Sequence, residues 1–318
     1  MIRVSVWQGD FSDSYLRLIT QLGADAVDFG RGDFFPGVKE RGYPEPDELS
    51  AILRRLSSFG LEINRVTLPD LTETYMKGSD GAEGELDNSV RALRVFGDAG
   101  VPIARQRFAG DVYPWMQKRS SAAHRGGYQS RAESTALAEG ARDPMSETEL
   151  IHWWERFCHA YERLVPVAEE VGIRLAVHPS DSPNPDTPFG SLGYHRVIDE
   201  FPNRCVGYLY CCGTRAEAGG SPLILDEIHN YGRKGRIFTV HFRNIRGSLA
   251  TAGGFEEVLL DDGDINMFKV LRELDSVGFD GCVNPDHIPL LEGDEGDPQR
   301  GLSYSVGYIK ALLAALAV

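Results

Sequence analysis

The sequence predicts an α/β fold, a (β/α)8 TIM barrel with a lid-like insertion after its fourth strand. Three observations lead there. A helix, glycine, strand unit recurs along the chain. The spacing of its glycines counts eight strands, and metal-ligand side chain types stand at the ends of the later strands.

The recurring unit is read from QLGADAVDF, SFGLEINRV, DAGVPIARQ, EVGIRLAVH and SVGFDGCVN. In each, an amphipathic helix stops, a Gly follows, and a short strand rich in apolar and β-branched residues begins. Gly adopts the left-handed conformation that ends a helix and lets the chain turn into a sheet. Leu49, Ile52, Leu53, Leu56 and Phe59 form one helical stripe before Gly60. Trp153, Phe157, Tyr161, Leu164, Ala168 and Val171 form another before Gly172. Both show the three-and-four spacing of a buried helix face.

Gly23 to Gly60 and Gly60 to Gly100 each span about one βα unit, and Gly100 to Gly172 about two, so a segment is inserted there. CVGYLYC and RIFTVHF supply strands between Gly172 and Gly278, and IRVSVW opens the barrel. One domain over residues 1–318 is expected, with the insertion at 111–144. That insertion is rich in Gly, Ser, Ala and Arg and lacks strong periodicity, as lids do. An open doubly wound sheet is the competing fold, but WQGDFSDS after the first strand is no phosphate-binding glycine loop.

The 318 residues are 42% hydrophobic and 25% charged, enough for a core without disulfide staples. A net charge of −14 disfavours nucleic acid as a partner. No apolar run has the length of a membrane span, MIRVSVWQGD reads as a strand rather than a secretory signal, and five cysteines are too few and uneven for a secreted disulfide framework. A cytoplasmic location is expected, with a homo-oligomer, a dimer by default.

Functional residues of such barrels cluster where strands end. The fifth strand ends at His178 in HPSDSP, and the sixth at Cys211 and Cys212. The seventh ends at His241 in HFRN, and the eighth at Asp286 and His287 in PDH. A lone His there is more often structural, and a lone Cys usually acts as a small hydrophobe. Four ligand types on four successive strand ends form the mixed N, S and O set of a manganese, iron, cobalt or zinc site. Side chains alternate along a strand, so only one of Cys211 and Cys212 faces the barrel mouth. Spacing alone does not choose between them.

These residues carry a resemblance to the D-mannonate dehydratases, metal-dependent sugar-acid lyases of the xylose-isomerase-like barrel group. LVPVAEEVG followed by VHPSDSP is similar to that family's segment before its fifth-strand ligand. Cys211-Cys212-Gly213-Thr214, VHFRNIR, DGDINMF, NPDH and the closing run Gly307 to Leu312 resemble its later segments, in order. The match runs from about Leu164 to Leu312; the first half agrees in layout only.

The resemblance implies His178, Cys211, His241 and Asp286 as metal ligands, Cys211 being chosen over its neighbour. Mn²⁺ is the usual ion, with Fe²⁺, Co²⁺ or Zn²⁺ as substitutes. It implies catalytic roles for His287, Asp286 and Tyr304, and a substrate pocket that includes Asp181, Asn244 and Arg246. The implied activity is dehydration of a small sugar acid to a 2-keto-3-deoxy product. A divalent Lewis acid and a neighbouring His suit that chemistry, because a weakly acidic proton leaves beside a carboxylate. The sequence departs from the family at several points. Asn244 replaces a His, Phe255-Glu256-Glu257 replaces a Phe-His-Glu, and HPSD keeps Asp181 but not the acid before it.

A metal-dependent sugar isomerase or epimerase on the same barrel is the second reading, and a non-catalytic sugar-binding barrel a third. Zinc hydrolysis is disfavoured, because Trp7-Gln8-Gly9 ends the first strand without an H-x-H pair. Trp7, Arg65, Arg105 and Arg107 stand at early strand ends. Trp7 and Arg107 are expected at the substrate. An Arg there either clamps a carboxylate or pairs with a core acid.

Overall fold

A computed structural model describes residues 1–110, 118–134, 145–180 and 187–317. Among the described residues twelve strands are formed: β1 (Arg3–Trp7), β2 (Ala26–Asp28), β3 (Glu62–Thr67), β4 (Ile103–Arg105), β5 (Lys118–Ala123), β6 (Gln129–Ser134), β7 (Arg174–Val177), β8 (Val206–Cys211), β9 (Ile237–His241), β10 (Asn244–Ser248), β11 (Gly254–Val258) and β12 (Cys282–Asn284). Eight of them close a parallel barrel in the order β1-β12-β9-β8-β7-β4-β3-β2. This is the (β/α)8 barrel expected from the repeated unit.

The helices pack outside as the apolar stripes require. The longest, Glu147–Val171, starts at a capping box in which Ser146 and Glu149 satisfy each other's backbone N–H groups. It buries Trp153, Phe157, Tyr161 and Leu164, and ends at Gly172 with φ 73°. An L side chain is strained at that φ, so glycine makes the stop.

A polar belt crosses the barrel interior. Asp28 on β2 accepts hydrogen bonds from Ser5 of β1, Asn64 of β3 and Asn284 of β12. Asn64 also donates to Thr239 of β9 at 3.1 Å. The register between β2 and β3 shifts here: Val27 pairs with Ile63 and Asp28 with Arg65, so Asn64 is the extra residue of a bulge. A bulge re-aims the side chains beside it. Asn64 consequently reaches the belt while Arg65, the next residue, lies over the Trp7 ring at 5.1 Å.

The insertion expected as a loop over 111–144 holds a hairpin in its described part. β5 and β6 pair antiparallel, β6 pairs with β11, and β11 with β10, giving a second sheet in the order β10-β11-β6-β5. Pairing with a distant strand forms it, which local periodicity cannot show. Among the described residues, no helix is long and apolar enough to cross a membrane.

Candidate metal centre

β7, β8, β9 and β12 are consecutive around part of the barrel, so the residues at their ends converge. His178, Cys211 and His241, all buried, bring one ligand atom each within 4.8 Å of one another. His178 Nδ1 is 2.5 Å from the Pro179 carbonyl, which fixes Nδ1 as donor and leaves the lone pair on Nε2. Burial, with Arg105 and His241 nearby, holds His178 well below its ordinary pKa and hence neutral, as a ligand must be.

Cys211 ends β8 and caps the helix Cys212–Gly219, its Sγ accepting from Thr214 N–H at 3.4 Å and Thr214 Oγ1 at 3.2 Å. Burial alone would raise this thiol, but Arg243 and then His241 outweigh it and bring it to about 7. Cys212 faces the apolar core, where burial and the neighbouring Cys211 push its thiol far up. The structure therefore brings Cys211, not Cys212, to the two imidazoles.

The donors fit a divalent transition metal. Both ring nitrogens of buried His241 make no hydrogen bond, although Nδ1 lies 3.2 Å from Asp286 Oδ2. Two orphaned imidazole nitrogens beside a lowered thiol and a carboxylate form a soft-to-borderline donor set. Asp286 is next to the triad but outside its mutual 4.8 Å grouping. Its Oδ1 takes the Trp7 indole N–H at 3.2 Å, and Arg243 Nε lies 3.6 Å from its Oδ2.

His287 stands beside Asp286 at φ 49°, a left-handed backbone uncommon for a non-Gly residue and a sign of enforced placement. Its Nδ1 meets Glu257 Oε1 at 2.8 Å, and its Nε2 is 3.6 Å from Asp286 Oδ2. Burial opposes its charge, yet Asp286 and Glu257 outweigh that and raise it to about 9. Arg131 of β6 lies 3.5 Å from Glu257 and 3.4 Å from His287 Nδ1, so the inserted hairpin reaches the rim. A cavity of about 390 Å³ opens there, lined by Arg131, Glu257, His287 and Leu290 among others.

Glu257, Arg243, Thr214 and Arg131 escaped the reading of the sequence. Arg243 and Thr214 lie inside quoted segments, but only folding shows that Thr214 bridges Arg243 to Cys211. Glu257 closes Phe255-Glu256-Glu257 on β11, and its neighbour in the site comes from a hairpin more than a hundred residues earlier.

The other expected residues are divided between the centre and positions away from it. Trp7 is at the centre, with its ring 5.5 Å from that of His241. Arg107 faces Asp70 at 3.7 Å in a separate cavity with Arg31 and Asp33. Asn244, expected at the substrate, gives its whole amide to the loop: Nδ2 donates to the Leu260 and Ile265 carbonyls, and Oδ1 accepts from Ile245 and Ile265 N–H. Arg246 is exposed and binds Asp262. Tyr304 is not brought to the triad; it meets Asp261 and Arg125 in an outer cavity. Asp181 lies outside the described residues.

Barrel and rim together define a (β/α)8 protein with a cluster of metal-ligand side chains at its strand ends. A xylose isomerase domain protein from Alicyclobacillus acidocaldarius superposes with a TM-score of 0.65 at 15% identity, over 100% of both chains. The D-mannonate dehydratase (UxuA) family profile matches residues 142–317, more than half of the sequence, and the chain belongs to that family. It is accordingly an enzyme of the hydro-lyase class, among those that dehydrate sugar acids. The crystal structure of mannonate dehydratase from Streptococcus suis superposes with a TM-score of 0.84 at 21% identity, over 99% of this chain and 95% of that one. Mannonate dehydratase 2 of Halalkalibacterium halodurans is 22% identical over 287 residues, 80% of this chain and 82% of its own. Further mannonate dehydratases, from Lactococcus and Streptococcus, match over about half of their own length.

Proposed function

We propose that this protein dehydrates a hexonate, D-mannonate foremost, to its 2-keto-3-deoxy acid with a Mn²⁺ ion held by His178, Cys211, His241 and Asp286. The observation that carries the reading is the buried triad within 4.8 Å, on strands of a family barrel. When bound, the ion supplies a Lewis acid for the negative charge that develops beside the carboxylate. The chain's own residues do the rest. His287 exchanges a proton at Nε2 while Glu257 holds Nδ1, keeping the ring turned toward the centre. The proton beside the carboxylate and the neighbouring hydroxyl leave together as water, and the resulting enol becomes the 2-keto group. The hairpin β5–β6 covers this rim through Arg131 and limits access of bulk water. Tyr304 takes no part in the proton step, and the location is cytoplasmic.

The assay is product formation from D-mannonate with and without Mn²⁺. Formation of 2-keto-3-deoxygluconate, reduced about 10²- to 10⁴-fold in kcat by His287→Ala, is expected. An isomeric sugar formed without loss of water would replace this reading with an isomerase or epimerase.

A further inference from the structure

Arg65 is among the largest fully buried side chains, only 1% exposed. Its Nη1 donates to Thr67 Oγ1 at 3.2 Å, while Nε and Nη2 make no hydrogen bond. Those two nitrogens share one edge of the guanidinium plane, the edge that offers two parallel N–H bonds. Such an edge matches the two oxygens of a carboxylate.

Among the described residues, no acid takes that edge. Asp28, the nearest carboxylate along the sheet, already accepts from Ser5, Asn64 and Asn284. Asp286 is turned to Trp7 and His241. Burial lowers Arg65 to about 10; the charges around it are mixed, Asp28 and Asp286 opposing that shift and Arg105 and Arg107 adding to it. A buried arginine with two idle donors is costly unless an acceptor anion completes it.

Its position relates it to the centre. The guanidinium stacks on Trp7, whose indole N–H bonds Asp286 and whose ring packs on His241. One aromatic side chain therefore separates Arg65 from two of the proposed metal ligands. We infer that Arg65 is the carboxylate-recognising residue, binding the acid group of a sugar acid through Nε–H and Nη2–H and so selecting aldonates over neutral sugars. This rests on the proposed sugar-acid chemistry and names the residue that chooses its substrate class.

The test uses Mn²⁺-loaded protein and two ligands that cannot lose water: a 3-deoxyhexonate and the 3-deoxyhexitol that lacks only its carboxylate. Calorimetry is run on the wild type, Arg65→Met and Arg65→Lys. Arg65→Met is expected to bind the acid about 100-fold more weakly, with hexitol affinity unchanged. Arg65→Lys keeps the charge but not the two-donor edge, and loses about tenfold on the acid alone. Without ligand, Arg65→Met melts at or above the wild-type temperature, because an unpaired buried cation has been removed.

Equal losses on both ligands, unchanged acid binding, or a melting temperature lowered by several degrees would each assign Arg65 a structural role and overturn the inference. So would a wild type that binds the acid no better than the hexitol. Arg65-dependent acid binding without turnover of D-mannonate sinks the dehydratase reading and leaves this one standing. Turnover of D-mannonate indifferent to Arg65→Met does the reverse.

Discussion

Adjacent cysteines at the end of β8 show how much one residue's direction decides. Cys211 faces two imidazoles and is held near 7, while Cys212 faces the core with its thiol far above the ordinary range. Cys211→Ser is therefore expected to empty the centre, losing more than the 10–100-fold that removal of an outer partner costs a metal site. Cys212→Ser should keep a full complement of metal. Metal content by mass spectrometry after equilibration with Mn²⁺ checks the pair, and equal loss in both variants would refute the assignment. The residue types of this centre were legible, since His178, Cys211, His241 and Asp286 all follow strand signals. Their supports were not. Glu257 and Arg131 meet because two hairpins pair, and Asn244 looks like a site residue until its amide is found spent on the loop around it.

At the scale of elements, close packing explains which glycines matter. Gly97, near the end of the helix Ala82–Asp98, would place a Cβ 2.1 Å from Val171 Cγ2, on the helix packed against it. Gly84, in the same helix, faces open space. Gly97→Ala should cost about 1–3 kcal/mol by overpacking, whereas Gly84→Ala should stabilise by about 0.4–1 kcal/mol. Thermal melts of the two variants test the helix contact directly; similar melting temperatures would contradict it. Helices and barrel strands were readable because each apolar stripe ends at a glycine. The strands β5 and β6 were not: KRSSAA and QSRAES have no large apolar alternation, and β6 gains its partner from β11, where Glu133 faces Phe255. Strand structure there follows from tertiary pairing more than from propensity.

Over the whole molecule, the proposed ion would join side chains from the ends of four neighbouring barrel strands. A ligand that binds the folded state alone stabilises it by mass action, about 2.7 kcal/mol at a concentration 100 times its dissociation constant. Chelation should thus lower the melting temperature by several degrees, with Mn²⁺ restoring it, and the Cys211→Ser variant should not respond. A wild-type melt indifferent to both chelator and Mn²⁺ would count against a metal at this rim.

The polar belt inside the barrel has a further consequence, for the order in which the chain folds. Asp28 and Asn284 are bonded across 256 positions of sequence, and Asn64 reaches Thr239 across 175. A carboxylate destined for the interior therefore lacks part of its complement until the last barrel strand arrives. Half-barrels leave that charge incompletely solvated by protein, which penalises them relative to the closed ring. Contacts of such long span slow folding, because loop closure must precede their reward. The belt thus makes the ring close late and all at once, with the N-terminal strands kept provisional while the rest of the chain is still arriving.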